Sequence, residues 1–254
     1  MHPIIAKLGP FTIYSYGMMV ATAFLFGVYV AGIEARRKGI KIDLIYDLAL
    51  YIFIGSLIGA RLYYLAFFNP SSFIQDPVSV LKVWEGGLAI HGALLGGIAA
   101  GFLFSKRRKI SFWNLADLMA PSIILGQAIG RIGCFLNGCC FGMPTESMFG
   151  VRFPKDSLPY IAYHGLAVHP TQLYELILNL VGFFVLWSMR QRIRFQGGVF
   201  LLYLMIYNCI RIAVSSLRGD CLYIWNTNIK IAQVISGIIF VVALIMFIKR
   251  EKSA

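Results

Sequence analysis

The amino-acid sequence predicts an all-α integral membrane protein with about seven transmembrane helices. First, 59% of the 254 residues are hydrophobic and only 13% are charged, whereas soluble globular domains are about half apolar and a quarter charged. Second, apolar runs of about 20 residues, the length that crosses a bilayer, recur from end to end. Third, the basic residues lie mainly in short connections between these runs. We therefore expect residues 1–254 to form a single transmembrane domain.

The expected helices follow the apolar runs along the chain. These runs are Ile13–Ile33, Leu44–Phe68, Leu88–Ser105, Leu115–Gly130, Thr171–Met189, Val199–Leu217 and Ile229–Ile248. Three glycine pairs with helical spacing fall inside them: Gly55-x-x-x-Gly59, Gly92-x-x-x-Gly96 and Gly97-x-x-x-Gly101. Such pairs let the backbones of two helices approach closely, so we expect helix contacts at these positions.

The distribution of positive charge predicts the orientation in the membrane. Basic clusters around Lys38, Lys109, Arg192 and Lys252 occupy alternate connections and the C-terminal tail, and cytoplasmic loops carry such an excess of lysine and arginine. With seven spans, the N-terminus lies outside and the C-terminus inside. Because topology explains the net charge of +12, no nucleic-acid partner is expected.

The longest connection, 134–170, differs from an ordinary solvated loop. It contains Pro144, Pro154 and Pro159 and is largely apolar. A long loop of this kind usually has a function of its own. We expect part of it to form a small cap on the outer face.

Ionisable residues within or at the ends of the apolar runs indicate a binding site. Arg61, Arg131 and Arg211 lie toward the predicted outer ends of their helices, and Glu175 is the similarly placed carboxylate. A charge in a membrane costs several kcal/mol unless it has a partner, and arginine binds phosphate with two parallel hydrogen bonds. A phospholipid headgroup is therefore a candidate ligand. The alternatives are that the arginines reach the interface or helix-end carbonyls, and that Glu175 only neutralises one of them.

His91 is a candidate general base. It lies between Gly87 and Gly92 at the predicted outer end of the third helix, where glycines permit close approach of a backbone or ligand. Imidazole, with a reference pKa of about 6.5, can accept a proton from a thiol at neutral pH. A hydrogen-bonded structural histidine is the alternative.

Three cysteines crowd one short segment, Cys134-x4-Cys139-Cys140. The segment lacks the companion CxxC or histidine pair of a zinc site, so no metal is expected. A disulfide on the outer face and unpaired thiols in a packed turn remain open.

The segment from Gly130 to Gly142, GRIGCFLNGCCFG, resembles the signature of the prolipoprotein diacylglyceryl transferase family. Further segments resemble the family in the same order along the chain: Tyr16-Gly17, Gly86-Gly87 with His91-Gly92, Asp117, His169 to Glu175, and Tyr207 with Arg211 and Arg218. Together they cover nearly the whole chain.

The resemblance implies transfer of sn-1,2-diacylglyceryl from phosphatidylglycerol to the lipobox cysteine of a prolipoprotein signal peptide, with no metal and no cofactor. The expected location is the bacterial cytoplasmic (inner) membrane, with the active site toward the outer leaflet and membrane lipid as its surroundings. The expected catalytic residues are His91, Arg131, Arg211 and Tyr16. The expected substrate-binding residues are Arg61, Arg131, Asn137, Gly142, Glu175 and Arg211.

Some positions depart from the family pattern. Cys134 stands where many members have asparagine, and Cys139 and Ser215 stand where many have glutamate. A divergent, non-catalytic membrane protein that binds or translocates phospholipid is therefore the alternative function. A transporter of small anions is disfavoured, because the expected arginines lie at one end of their helices without a matching series toward the cytoplasm.

Overall fold

The computed structural model describes residues 3–8, 11–70, 78, 86–219, 223 and 230–253. Within these residues the chain is mainly helical. The elements in order are β1 (Ile4–Leu8), β2 (Phe11–Tyr14), α1 (Ser15–Arg37), α2 (Ile42–Phe68), α3 (Ile90–Arg108), α4 (Phe112–Asn137), α5 (Leu158–Tyr163), α6 (Thr171–Met189), α7 (Gly198–Leu217) and α8 (Ile231–Lys252).

Each of the seven predicted apolar runs overlaps one long helix. In the described part of the chain, six of them are long and apolar enough to cross a membrane, namely α1, α2, α4, α6, α7 and α8. The remaining long helix, α3, has 19 residues and ends in the basic residues Lys106, Arg107 and Arg108. The prediction of a helical, multi-pass membrane protein is confirmed at this level.

The N-terminal segment corrects the expectation of a purely helical chain. Strands β1 and β2 pair antiparallel, with Ile4 opposite Tyr14 and Lys7 opposite Thr12. Directly after β2, the Ser15 amide at the start of α1 donates to the Pro3 carbonyl at 2.9 Å. Strands of five and four residues are too short to give a clear alternating pattern, and they adjoin a helical run that dominates the local sequence.

The chain divides into two compact units, Gly32–Leu115 and the combination of Met1–Ala31 with Ala116–Ala254. We call them the middle unit and the outer-sequence unit. Their boundaries fall within α1 and α4.

Helices α2 and α3 of the middle unit contact each other through the predicted glycines. A Cβ atom at Gly55 would lie 2.8 Å from the Gly96 carbonyl oxygen, and one at Gly96 would lie 3.0 Å from Cα of Gly59. These distances are shorter than a carbon atom tolerates, so the contact requires glycine. A Cβ at Gly97 would come within 2.7 Å of the Ser56 hydroxyl, but one at Gly101 would meet nothing within 4 Å.

The core of the outer-sequence unit is formed by α4, α6 and α7. Ala120 and Ile124 of α4, Leu186 of α6, and Val199 and Tyr203 of α7 are buried together. These apolar contacts hold together the helices that carry Arg131, Glu175 and Arg211 of the candidate site.

Asp117 of α4 caps the start of α7. Its carboxylate is buried and accepts hydrogen bonds from the amides of Gly197, at 2.6 Å, and Phe200, at 2.9 Å. The first amides of a helix lack partners within the helix, and a carboxylate there also interacts favourably with the helix dipole. Asp117 thus fixes α7 against α4.

We expect Asp117→Ala to lower the free energy of unfolding by about 1–3 kcal/mol, because the amides of Gly197 and Phe200 lose their acceptor. Thermal unfolding of the purified protein in detergent measures the effect as a lower Tm. Asp156→Ala, which removes an exposed acid, is the control and should leave Tm unchanged. An unaltered Tm for Asp117→Ala would contradict the capping role.

The connection between α4 and α6 is folded. Phe141, Phe153 and Val168 form a small buried apolar cluster, and Val168 bridges both Pro144 and Val151. The short helix α5 begins after Ser157, whose hydroxyl accepts from the Tyr160 amide at 3.4 Å. The segment therefore has a core of its own, which fits its apolar composition.

Candidate functional site

Arginines from two helices and a following turn surround one glutamate in the outer-sequence unit. Glu175 lies on α6 and is 2% exposed. Arg131 of α4 pairs through Nε with its Oε2, and Arg211 of α7 donates from Nη1 to its Oε1 at 3.0 Å. Arg218, just after α7, has Nη1 3.9 Å from the same Oε1. We call Arg131, Glu175, Arg211 and Arg218 the arginine–glutamate cluster.

The cluster carries more positive than negative charge. Arg131 and Arg211 share the single carboxylate of Glu175, so these three residues alone leave one positive charge in excess. Their side chains are mostly buried, at 16% exposure for Arg131 and 21% for Arg211, and charges in such surroundings interact strongly. The cluster is suited to bind an anion whose negative charge completes the balance.

Arg218 is a member of the cluster and is not among the site residues expected from the sequence. Two backbone connections hold it in place: Gly142 forms a β-bridge with it, and the Gly219 amide donates to the Phe141 carbonyl at 3.1 Å. Arg211 and Arg218 are seven residues apart in the sequence, which is two helical turns. That spacing is the sequence signal that could have indicated Arg218, although α7 ends at Leu217 and Arg218 follows it in extended backbone.

Lys230 supports the end of α7 and was likewise not expected. The side chain is buried, and its ammonium donates to the carbonyls of Ser215, at 2.7 Å, Ser216, at 3.2 Å, and Arg218, at 2.7 Å. The last carbonyls of a helix lack partners and attract positive charge. Lys230 thereby fixes the backbone that carries Arg218.

Gly142 serves as a close-packing point between chain segments. Its amide donates to the His169 carbonyl at 2.9 Å, and an added Cβ would lie 2.7 Å from that oxygen and 2.9 Å from the Leu217 carbonyl. A larger residue would push these segments apart. Its observed contacts therefore position the residues before α6 and after α7.

Tyr16 contacts the signature segment, Gly130 to Gly142, and Asn137 lies within it. Tyr16 is in the first turn of α1, and its ring packs over Gly133 of α4, where an added Cβ would lie 3.3 Å from the ring. Asn137 is the exposed last residue of α4. Tyr16, Arg131, Asn137, Gly142, Glu175 and Arg211 thus all belong to the outer-sequence unit.

The three cysteines of the signature come together where α4 ends. Gly138 adopts the left-handed conformation at φ 73°, the Cys139 amide donates to the Cys134 carbonyl at 3.1 Å, and the Gly138 amide donates to the Phe135 carbonyl at 3.3 Å. This is the Schellman motif, which brings the side chains of the first and sixth residues into contact. Cys140 also has a positive φ, 62°.

These side chains form the thiol cluster, Cys134, Cys139 and Cys140, whose three Sγ atoms lie within 4.8 Å of one another. Hydrogen bonds from the Cys134 and Cys139 thiols lower the pKa of the Cys140 thiol below its ordinary value. The positive charges of Arg218 and Arg131 lower it further, against the opposing effect of burial.

Arg61 and His91 belong to the middle unit. Arg61 of α2 is buried and donates from Nη1 to the Gly86 carbonyl. His91 is exposed in the first turn of α3, with its ring centroid 6.0 Å from that of Tyr63. An added Cβ at Gly87 would meet the Tyr64 ring, so the neighbouring glycines allow close packing against α2.

Comparison with known proteins tests the resemblance. The family model described as prolipoprotein diacylglyceryl transferase matches residues 3–249. The chain is a member of this family. Relatives named phosphatidylglycerol–prolipoprotein diacylglyceryl transferase include one from Bacillus velezensis, 38% identical over 99% of this chain and 93% of the relative. Another, from Nostoc sp., is 39% identical over 92% of this chain and 84% of the relative.

The transferase family motifs meet in the arginine–glutamate cluster. The signature supplies Arg131 near the end of α4, the segment beginning at His169 opens α6 and supplies Glu175, and the motif of α7 supplies Arg211 and Arg218. Three separate parts of the sequence therefore converge on one group of charges in this family member.

Proposed function

We propose that this protein transfers the sn-1,2-diacylglyceryl group of phosphatidylglycerol to the lipobox cysteine of a prolipoprotein, forming a thioether and releasing glycerol phosphate. Membership of the family supports the reaction. The structural observation that supports it is the sharing of one buried carboxylate by Arg131 and Arg211, which leaves positive charge for a phosphate.

The negative charge that develops on the phosphate during the reaction matches the excess positive charge of the arginine–glutamate cluster. The thiolate sulfur attacks the terminal glycerol carbon of the diacylglyceryl group, a carbon–sulfur bond forms, and the carbon–oxygen bond to phosphate breaks. The phosphate carries one negative charge as a diester and two as released glycerol phosphate. Arginines that bind the growing charge stabilise the transition state more than the bound lipid, and only such a difference accelerates the step.

The other residues have supporting roles in the proposed mechanism. His91 accepts the proton of the lipobox thiol, Tyr16 and Asn137 position the headgroup, and Glu175 orients Arg131 and Arg211. Arg218 adds positive charge to the phosphate site. Arg61 acts through the backbone, because its guanidinium donates to the Gly86 carbonyl.

We propose that residues 1–254 act as one transferase domain with seven transmembrane helices in the bacterial cytoplasmic (inner) membrane. The active site faces the outer leaflet, and the segment 134–170 contributes a cap on that face. Both substrates, a phospholipid and a signal peptide, already lie in the bilayer, so lateral access is sufficient.

The orientation predicts which positions react with membrane-impermeant thiol reagents. In a background with all five cysteines replaced by serine, cysteines at Lys38, Lys109 and Lys252 should be labelled only after the membrane is opened. A cysteine at Lys155 should be labelled in intact cells, because it lies on the proposed outer side. Protection at Lys155 together with labelling at Lys38 in intact cells would reverse the orientation.

The decisive experiment incubates the purified protein with phosphatidylglycerol and a lipobox peptide. Mass spectrometry should detect the peptide with a diacylglyceryl group on its cysteine, while a Cys-to-Ser peptide gains nothing. If lipid binds but no thioether forms under any assay condition, the protein is instead a phospholipid-binding or translocating protein.

The charge of the cluster also predicts lipid selectivity. We expect at least about tenfold faster transfer from phosphatidylglycerol than from phosphatidylethanolamine, because the ammonium of the latter meets arginines, and like charges in contact cost several kcal/mol. The rates are compared in vesicles matched in acyl chains. Equal rates would contradict an arginine-based headgroup site.

A further inference from the structure

The thiol cluster has a geometry that packing alone does not require. Its three Sγ atoms lie within 4.8 Å of one another. In a trigonal complex with metal–sulfur bonds of about 2.3 Å, the sulfur atoms are about 4 Å apart. Small side-chain rotations therefore bring the three sulfurs to bonding distance of one central ion.

The backbone of the cluster is fixed before any ion binds. The Gln172 amide donates to the Cys139 carbonyl at 2.7 Å, and the Thr171 hydroxyl donates to the Cys140 carbonyl at 2.6 Å. Both donors are buried, and the Schellman motif fixes Cys139 against Cys134. A binding site that is already ordered loses little conformational entropy when it binds an ion.

Positive charge lies beside the cluster, and the thiolate is the form of cysteine that binds metals. The guanidinium of Arg131 donates to Cys134 Sγ at 3.9 Å. Three thiolates around a monovalent or divalent ion form a complex with net negative charge. The positive charge of the neighbouring Arg131 offsets the negative charge of this complex, so it does not oppose binding of the metal ion.

We propose that Cys134, Cys139 and Cys140 form a binding site for one soft, thiophilic d10 metal ion, with Cu(I) as the best match. A ligand set made only of sulfur selects soft ions, and three thiolates supply the trigonal coordination that Cu(I) accepts. The thiol protons are released to the solvent as the metal–sulfur bonds form.

Metal binding at this site should inhibit lipid transfer, a consequence that rests on the proposed transferase function. The anionic metal–thiolate complex lies beside Arg131 and competes with the lipid phosphate for its charge. The site itself is tested without reference to transfer, so failure of the transferase assay would leave the binding result intact.

The test uses the full-length reduced protein with Cys209 and Cys221 replaced by serine, which leaves only the three clustered cysteines. Competition with a chromogenic Cu(I) chelator should show one ion bound per chain, and Cd(II) should give a sulfur-to-cadmium charge-transfer band. Because the ion binds the folded state, it should also raise Tm. In this variant, the further substitution Cys139→Ala or Cys140→Ala should weaken the binding of Cu(I) and Cd(II) at least about 100-fold.

The two alanine variants keep the test valid if a Cys134 variant does not fold, because Cys134 is buried whereas the other two are partly exposed. Wild-type protein and the Cys209→Ser variant should bind equally, since Cys209 is exposed on α7. Absence of Cu(I) and Cd(II) binding, or equal binding after Cys139→Ala and Cys140→Ala, would overturn the proposal. A disulfide within the cluster in protein isolated without added oxidant would also overturn it.

Discussion

Arg131→Ala is expected to reduce the rate of diacylglyceryl transfer by about 100-fold to 1,000-fold, the usual effect of removing one donor to a developing anion. Arg131 pairs with Glu175 and is mostly buried, so alanine removes a fixed positive charge. Arg211 would then neutralise Glu175, and the excess charge of these three residues would be lost. The loss should appear mainly in kcat, because the charge on phosphate increases during the reaction.

Two further variants distinguish charge from geometry. Arg131→Lys retains the charge but not the planar guanidinium that donates two parallel hydrogen bonds. Its rate of diacylglyceryl transfer should therefore lie between those of the wild type and Arg131→Ala. Arg152→Ala removes an exposed arginine from the segment between α4 and α6 and should keep the wild-type rate. A wild-type rate for Arg131→Ala, with folding retained, would remove the cluster from the mechanism.

His91→Ala is expected to lower transfer by about 100-fold or more, the scale of general acid–base catalysis. His91→Gln is the sharper variant, because glutamine retains volume and hydrogen-bonding groups but cannot accept a proton at neutral pH. Both variants should therefore be similarly slow. Single-turnover transfer to a lipobox peptide measures the chemical step directly.

The controls for His91 separate proton transfer from positioning. His164→Asn alters an exposed histidine with a positive φ of 51°, a conformation that asparagine adopts readily, and should keep full activity. Substantial activity of His91→Gln would assign His91 a positioning role.

The sequence predicts the long helices well because bilayer thickness imposes a length on each apolar run. Seven predicted runs overlap long helices. The glycine spacing indicates the contact between α2 and α3 at Gly55, Gly59, Gly92 and Gly96, whereas the expected contact at Gly101 is absent among the residues that the structure describes. The hairpin of β1 and β2 was missed, since its order depends on pairing between short strands and not on hydropathy. The ends of helices were also shifted: α4 continues past Gly130 to Asn137, which places Arg131 within the helix.

Much of the charged site was predictable because unpaired charge in a membrane is costly. This cost groups Arg131 and Arg211 with Glu175. It gives no signal for Arg218 and Lys230, which lie beside the end of α7, where ionisable residues are not unusual. For Arg61, the sequence leaves two alternatives open, and the structure adds a contact with the Gly86 carbonyl.

The contact between α2 and α3 includes close backbone approaches at Gly55, Gly59, Gly92 and Gly96. Such an interface does not depend on which side chains the two helices expose elsewhere. Leu94 and Ile98, for example, are exposed on α3 and can be substituted during evolution to suit bilayers of different lipid composition. The position of His91 along the axis of α2 is unaffected by such substitutions. It depends on the close approach of α2 and α3 at the four glycines, which carry hydrogen atoms in place of side chains.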